Sequence, residues 1–591
     1  MNKKSIEDQL VNYFDAEELE KKLRSGRIPI STKTYLFLSV ISTFLVLLVG
    51  VILVLLTLNE LMIIVGIIVS GIISLAVFIS IYYYPNLKCI SRSIAINLEI
   101  DSAVTFMYGL SVGDMDLPEI FRRLAKNKES YGEVAKEAEY IVTLMDYFSE
   151  DVISAIRETI MITPSEKMKD FLSNLLLVVR AGGDVPSYLE EKSEQYLNES
   201  FEEQESYIEF LGYLSEAYIV IMVVGPLLII LGLTILALSF GNLPKHLELI
   251  IFSLLSLGGL FFIIIIELVS PEQNLSKKIT IEEEEETYGI ANSNKSNARW
   301  NRWKRFKERV FRIKNLLIFN PTKTLYITAP ISVVYLIYIF FTNKIGLFIQ
   351  YIEINSLIFA LILLAPLSFF YEIKSYRENK IKKQFPDFIR LINSLNRTGM
   401  TLKGTLLEIS EFRGIVGEAA KKMKKGIYWD VDVRELMKRF SNKLRNPEVL
   451  KNIVLILEGV RAHDDVSEVL QITTNSASNR KKLRKKKRTQ ILPYLILVWI
   501  SFLIFLFIAF ILQTQFMGNI PISETTYTNR GAFNFSPQQF DEIKDTIVHS
   551  TMLVGFLSGI VAGKLTKSTL SGIKHGLLML ILSYLTFFVI I

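Results

Sequence analysis

The chain has 591 residues, half of them are apolar, and its mean hydropathy is positive. This composition excludes an ordinary soluble protein and predicts an integral membrane protein. The single cysteine, Cys89, excludes an internal disulfide and a cysteine-based metal cluster, and the four histidines are too scattered for a helical metal site. The formal net charge of +6 is distributed very unevenly along the chain.

The amino-terminal segment, residues 1–34, is charged and much longer than the first part of a cleavable signal peptide, so we expect the first apolar segment to remain in the protein as an anchor. Nine apolar runs follow, each about 20 residues long, which is the length that a helix needs to cross a bilayer. Lys and Arg are concentrated in alternate loops, which predicts a cytoplasmic amino terminus and an external carboxyl terminus. Glu216 and Glu267 lie at the ends of spans and are interpreted as boundary residues rather than as an ion path.

Two long polar segments, residues 85–216 and 372–490, carry apolar residues at helical spacing and are predicted to be helical bundles. Both contain Arg-Ala-x-x-Asp-Val-x-x-x-Leu, beginning at Arg180 and Arg461, and both open with a similar phrase at residues 110–117 and 395–402. Two matches in the same order indicate an internal duplication. Because each unit contains an even number of spans, the copies enter the membrane in the same orientation, unlike the inverted repeats of many transporters.

The predicted fold is therefore an all-α polytopic membrane protein, with about nine transmembrane helices and two homologous cytoplasmic helical bundles in a parallel internal repeat. The predicted domains are the amino-terminal segment (1–34), spans one and two (35–84), the first bundle (85–216), spans three and four (217–269), a cytoplasmic linker (270–324), spans five and six (325–371), the second bundle (372–490), span seven (491–512), an external loop (513–546) and spans eight and nine (547–591).

The two bundles have opposite charge. The first has about 25 acidic and about 12 basic residues, and the second has about 14 acidic and about 28 basic residues. The basic run at residues 481–488 directly precedes a span, so anchoring at lipid headgroups explains most of it. A second cluster lies far from any span and is the better candidate for docking an acidic protein surface. Its members are Lys421, Lys422, Lys424 and Lys425.

The linker contains aromatic and basic residues on adjoining faces of a predicted helix, a pattern typical of helices that lie on an anionic membrane surface. The candidates for this contact are Trp300, Trp303, Arg302, Arg305, Arg309 and Arg312. Such a segment can also bind nucleic acid, but its position between two spans favours lipid. The external loop contains one glycosylation-type triplet, Asn534-Phe535-Ser536, and the proline that follows weakens this signal.

Motifs of enzymatic chemistry are absent from the sequence. The nearest string to a phosphate-binding loop, Gly559 to Lys564, lacks the required spacing and hydroxyl group and lies in an apolar span. We therefore predict no catalytic residues, no metal site and no cofactor. Prolines inside the spans, such as Pro226, Pro330 and Pro366, are interpreted as packing kinks, with flexing during movement of the bundles as the alternative.

Four phrases, at residues 180–189, 385–402, 494–507 and 555–580, resemble the platform membrane proteins of type IV filament machines, which form the type II secretion F/TadC family. The archaellum assembly type (FlaJ/ArlJ) is the nearest kind. One departure is that His463-Asp464 stands in the second copy where the first has Gly182-Gly183. The resemblance implies a non-enzymatic protein of the cell membrane that docks a hexameric secretion ATPase and moves pilin-like subunits into a filament.

Given this resemblance, the predicted docking surface for the ATPase consists of the four lysines above and the helix end formed by Arg461, Asp464 and Asp465. The equivalent helix end in the first copy is formed by Arg180 and Asp184. We further expect a homodimer in contact with membrane lipids, and no nucleic acid partner. One alternative is the platform of an adhesive pilus or a secretion system, and a more distant one is a membrane transporter with regulatory domains.

Overall fold

The computed structural model describes residues 16–57, 60–240, 247–269, 314, 316–342, 352–409, 412–462, 466–516, 537–566 and 568–590. All regular secondary structure in these ranges is helical, which confirms the predicted all-α class. Among the described helices, nine are long and apolar enough to cross a membrane, and each overlaps one predicted span. The membrane-surface candidates of the linker, Asp464, Asp465 and most of the external loop lie outside the described residues.

The helices of the first half are α1 (Ala16–Ser25), α2 (Thr32–Thr57), α3 (Glu60–Ser111), α4 (Leu117–Lys126), α5 (Lys128–Phe148), α6 (Val152–Ile162), α7 (Glu166–Arg180), α8 (Val185–Ile219), α9 (Gly225–Phe240) and α10 (Leu247–Val269). Those of the second half are α11 (Leu325–Thr342), α12 (Ile352–Arg397), α13 (Leu402–Glu408), α14 (Ile415–Tyr428), α15 (Val433–Leu444), α16 (Pro447–Ala462), α17 (Ser467–Ile511), α18 (Pro537–Thr566) and α19 (Thr569–Leu585).

The contacts divide the chain into two compact units. The first comprises the described residues within Met1–Ser200 and Asp387–Ala477, and the second those within Phe201–Glu272, Glu282–Pro386 and Ser478–Ile591. The first unit therefore contains most of both predicted bundles. Bundle 1 consists of α4 to α7 with the adjoining parts of α3 and α8, and bundle 2 consists of α13 to α16 with the adjoining parts of α12 and α17.

The two bundles have the same order of helices, and their helix ends follow from the local sequence. In bundle 1, the Ser165 hydroxyl accepts a hydrogen bond from the Met168 amide (3.1 Å) and caps α7. One apolar face of α7, which includes Phe171 and Leu175, is buried, and Gly182 leaves the helix with a φ of 63°. In bundle 2, Asp432 caps α15 through the Arg434 amide (3.1 Å).

The short helix α1 is fastened to bundle 1 and to the first hairpin of spans. Leu19 and Leu23 are buried against Tyr35 and Leu36 of α2. Arg92 of α3 donates hydrogen bonds to the Ser25 carbonyl and to the buried Glu137 of bundle 1. Burial raises the pKa of Glu137 even though Arg27 and Arg92 act in the opposite direction.

The second unit contains the later spans, and glycines determine how α18 and α19 pack. A Cβ on Gly559 would lie 2.1 Å from the Gly576 nitrogen, and a Cβ on Gly563 would lie 2.0 Å from the Gly572 Cα. Spaced one turn apart, these glycines allow the two backbones to approach closely, as in other membrane helix pairs. The string that was compared with a phosphate-binding loop is thus part of a helix contact.

Other polar and irregular features of the second unit also have structural roles. Glu267 at the end of α10 pairs with Lys564 of α18, consistent with a boundary residue. A π-helical turn, Val220–Val224, directly precedes Gly225-Pro226, where the missing proline amide predicts a kink. In the basic run, Lys486 pairs with Glu205 (2.6 Å) and Arg484 donates to the Lys382 carbonyl (2.9 Å), so part of this charge is used within the protein.

Candidate docking site on the two helical bundles

The two bundles pack against each other through α16, which lies on α3 and α5. Leu455 of α16 is buried in the apolar core of bundle 1. Its position depends on Gly109 of α3, because a Cβ there would lie 2.7 Å from the Leu455 Cδ1. The Tyr131 hydroxyl of bundle 1 also lies 3.5 Å from the Lys451 carbonyl. Leucine packing on a glycine thus joins the two copies at a close helix contact.

Two ion pairs cross the same contact. Lys451 of α16 pairs with Glu99 of α3, and both side chains are buried. Arg123 of α4 lies 3.1 Å from the nearly buried Glu458 of α16. A buried pair costs desolvation energy when it forms, but the loss of one partner leaves an uncompensated charge and is strongly destabilising. The bundles are therefore joined in one specific register.

The predicted helix end of the second copy is connected to this contact. Arg461 donates to Glu458 (2.9 Å), the same carboxylate that accepts from Arg123 of bundle 1. In the first copy, Arg180 is exposed, and Asp184 is exposed and accepts a hydrogen bond from the Ser187 hydroxyl. The guanidinium of Arg461 therefore has a carboxylate partner. Arg180 has no such partner among the hydrogen bonds and ion pairs of the described residues. The candidate role of Asp464 and Asp465 lies outside the described residues.

The four predicted docking lysines lie on α14, whose opposite face is buried. Val416, Ala420, Met423 and Ile427 form that buried face. Lys421, Lys422 and Lys425 are exposed, and Lys424 is half-buried. The helix thus presents a basic face beside the turn that leads to α15. A hydrogen bond from the Arg434 amide lowers the pKa of Asp432 at the start of α15, and the nearby charge of Arg461 adds a smaller effect, so the lysines and the helix end belong to one end of bundle 2.

This end of each bundle carries an exposed aromatic pair that the sequence reasoning missed. Tyr147 and Phe148 at the end of α5 are 83% and 69% exposed, and Tyr428 and Trp429 at the end of α14 are 72% and 84% exposed. The same spacing that relates Arg180 to Arg461 relates the first pair to the second. We name these segments, residues 147–151 and 428–432, the aromatic turns. Comparison of the copies at that spacing reveals their shared pattern, Tyr-aromatic-x-x-Asp-Val.

The backbone is alike in the two aromatic turns. Ser149 and Asp430 follow the aromatic pairs with φ values of 57° and 54°, in the left-handed region. Asp151 and Asp432 then stand at the N-caps of α6 and α15. The turn after α14 is further fixed by Lys403, which lies 2.8 Å from Asp430. The aromatic side chains are therefore presented by defined turns rather than by unstructured loops.

The charges around the turns differ between the copies. Near the first turn, Asp146 lies 2.8 Å from Arg122, and this hydrogen bond lowers the pKa of Asp146. Glu150 adds negative charge at the position where the second turn has Val431. Near the second turn, the hydrogen bond from Lys403 lowers the pKa of Asp430, and the exposed lysines of α14 add positive charge. The two aromatic pairs are thus similar, but the charged groups around the first are mainly acidic and those around the second are mainly basic.

The requirements of a metal site and of a protein-binding surface are met to different degrees by the described residues. No group of three His, Cys, Asp or Glu side chains that could hold a metal ion occurs in the parts of the chain that the structure describes. The arrangement at the ends of the bundles, with exposed aromatics, basic residues and defined turns, is instead typical of a surface that binds another protein.

Comparisons with known proteins support the duplication. The family model described as "Type II secretion system (T2SS), protein F" matches the chain twice, at residues 103–233 and 388–513. The first match covers most of bundle 1 and most of the span that follows it, and the second covers most of bundle 2 and the whole of span seven. The two matched copies confirm the predicted internal repeat.

Two proteins of Methanocaldococcus jannaschii are similar to the chain. One, described as uncharacterized, is 23% identical over 529 residues, which is 85% of this chain and 81% of that protein. The other, named Flagella accessory protein J, is 27% identical over 113 residues, 19% of this chain and 20% of that protein. No solved structure matches the chain.

Proposed function

The chain belongs to the type II secretion system F family of membrane platform proteins, of which FlaJ-type proteins are members, and from this premise we propose that it is the platform of an archaellum. In this role it binds a hexameric motor ATPase on the cytoplasmic side and transmits the movement of that enzyme to pilin-like subunits in the membrane. It acts without an active site of its own. Its amino terminus lies in the cytoplasm and its carboxyl terminus outside, as the distribution of Lys and Arg predicts.

The observation that carries the docking proposal is the basic face of α14. Three exposed lysines and one half-buried lysine lie on one short helix, at the end of bundle 2 that also contains Arg461. A cluster of one sign on a helix face attracts a partner surface of the opposite sign and accelerates the encounter. We therefore assign this face to an acidic surface of the motor ATPase.

Charge reversal on α14 tests the docking site. Changing Lys421, Lys422, Lys424 and Lys425 to Glu should weaken binding of the purified ATPase to the full-length platform by about tenfold or more at low salt, because steering attraction becomes repulsion. The remaining binding should also depend less on salt. A matched comparison is K421E/K425E against K438E/R439E, which makes the same charge change on the exposed part of α15. Equal effects of the two double variants would contradict a site on α14.

Deletion of the gene in the native host tests the platform role itself. We expect the cells to lose their surface filaments in electron micrographs and to stop swimming, with both restored by the wild-type gene. If the cells lost non-motile fibres but swam normally, the protein would be the platform of an adhesive pilus. Unchanged filaments together with substrate-dependent stabilisation of the purified protein would favour a transporter instead.

A further inference from the structure

The aromatic turns are the feature of the cytoplasmic unit that the proposed function does not yet explain. Among the described residues of the first compact unit, Tyr147, Phe148, Tyr428 and Trp429 are the large aromatic side chains that remain more than two-thirds exposed. They occupy equivalent positions in copies whose other surface residues have changed in charge. Isolated exposed apolar residues are ordinary, but a repeated aromatic pair in water indicates a binding site.

The turns do not need these side chains in order to fold. The residues just before each pair that pack into the bundle are Ile141 and Leu144 in α5, and Met423 and Ile427 in α14. The change of direction is made by the left-handed residue, and the next helix starts at an aspartate. The exposed rings consequently add little to the stability of the bundle, and their apolar area is available to a partner.

Their chemistry fits a protein partner. Tyr and Trp are enriched among the few residues that dominate binding energy at protein interfaces, because they bury a large rigid area and also carry a polar atom. At the second turn, the rings lie at the end of the same helix that carries the basic face. An apolar pocket edged by carboxylates would match both features at once.

The duplication indicates what kind of partner this is. Two similar anchors on one chain suit a partner that presents the same pocket more than once, as a ring of identical subunits does. Opposite charges around the anchors would then make the two contacts unequal in strength. An acidic pocket is attracted to the second turn by the lysines and is repelled at the first turn by Glu150, which has no acidic equivalent in the second turn.

We propose that the two aromatic turns are anchors for the same pocket, an apolar pocket edged by carboxylates, on different subunits of the motor ATPase ring. The second turn binds it strongly and the first turn binds it weakly. The inference rests on the proposed function, since that function supplies the ATPase as the partner. It adds to that function a second docking element, on bundle 1, that the basic face of α14 does not predict.

Binding measurements with the full-length platform in lipid nanodiscs and the purified ATPase test this inference. Y428S/W429S should weaken binding by about tenfold or more, because each truncation removes an anchor of the kind that dominates interfaces. Y147S/F148S should weaken it by about threefold, since its surroundings repel the pocket. Unlike charge reversal on α14, both losses should persist at high salt. The matched control is M161S, which removes another exposed apolar side chain (71%) away from the turns.

The outcomes separate this inference from the proposed function. Unchanged unfolding temperatures would establish that the variants are folded. If the lysine reversal weakens binding while both aromatic variants bind as the wild type does, the docking function stands and the anchor inference is wrong. If none of the variants changes binding, both are wrong. Normal ATPase binding together with loss of self-association, or with loss of binding to anionic vesicles, would also overturn the inference and assign the turns to a second copy or to lipid.

Discussion

Bundle 1 and bundle 2 have the same order of helices, and each has an aromatic turn. Corresponding helix faces, however, are buried in one bundle and exposed in the other. On α16 the face with Lys451, Leu455 and Glu458 contacts bundle 1 and is largely buried. At the equivalent positions of α7 stand Asp170, Asn174 and Leu177, which are exposed. The copies thus share a buried interior and similar turns, whereas this face of α16, unlike that of α7, is a surface that binds the other copy. The two bundles are therefore not interchangeable.

The largest effect that tests this difference is expected at Leu455. L455A removes a buried side chain from the contact between bundles and should lower the local free energy of unfolding by about 3 kcal/mol, from the lost burial and the cavity. Hydrogen exchange of α16 peptides in the full chain measures this as a loss of protection of about 100-fold. The matched control is N174A at the equivalent exposed position, which should change the protection of α7 peptides by less than about 0.5 kcal/mol.

One result of comparing L455A with N174A would contradict the contact between α16 and bundle 1. If L455A and N174A reduced protection equally, α16 would not be the helix that joins the copies. A loss that is confined to α16 and to the peptides of α3 around Gly109 would place the contact where the structure has it. Protection in α1 should not change, because its contacts with Arg92 and Tyr35 lie elsewhere in the unit.

The fold could be predicted from the sequence because its signals are local. Apolar runs of sufficient length determine the spans, and the repeated Arg-Ala-x-x-Asp-Val phrase reveals the duplication. The contact between the bundles could not be predicted in this way. It depends on Gly109 meeting Leu455 and on Glu99 meeting Lys451, pairs far apart in the chain whose residue types are individually ordinary. Local signals accordingly predict two bundles, whereas the fact that most of both lies in one compact unit follows only from these distant contacts.

The candidate site was predictable in part. The lysine cluster of α14 was evident from charge alone, and three of its four side chains are exposed as a docking surface requires. The partner of Arg461 was not evident, since Glu458 is one helical turn away and its link to Arg123 depends on the packing of the copies. The aromatic turns did have a signal, Tyr-aromatic-x-x-Asp-Val, but it emerges only when the copies are compared at the spacing of their arginines.

The smallest effect concerns a turn that the copies build with different residues. Asp114 in bundle 1 and Gly399 in bundle 2 are equivalent, and both are left-handed, with φ values of 54° and 87°. G399A should cost about 1 kcal/mol because an ordinary side chain is disfavoured in this region, and no atom within 4 Å of the new Cβ adds a clash. G399D should cost less, since Asp tolerates this conformation, as Asp114 does.

The reciprocal change completes the comparison. D114G should alter stability by less than about 0.5 kcal/mol, because relief of the left-handed strain is offset by the greater backbone entropy that Gly loses on folding. Exchange protection at the start of α13 and α4 measures the two turns separately. A larger loss for G399D than for G399A would mean that the second turn tolerates only glycine, so that the copies would differ in backbone as well as in surface. If G399A is the most destabilising of the three variants, as we expect, the two turns share one backbone conformation and differ only in their side chains.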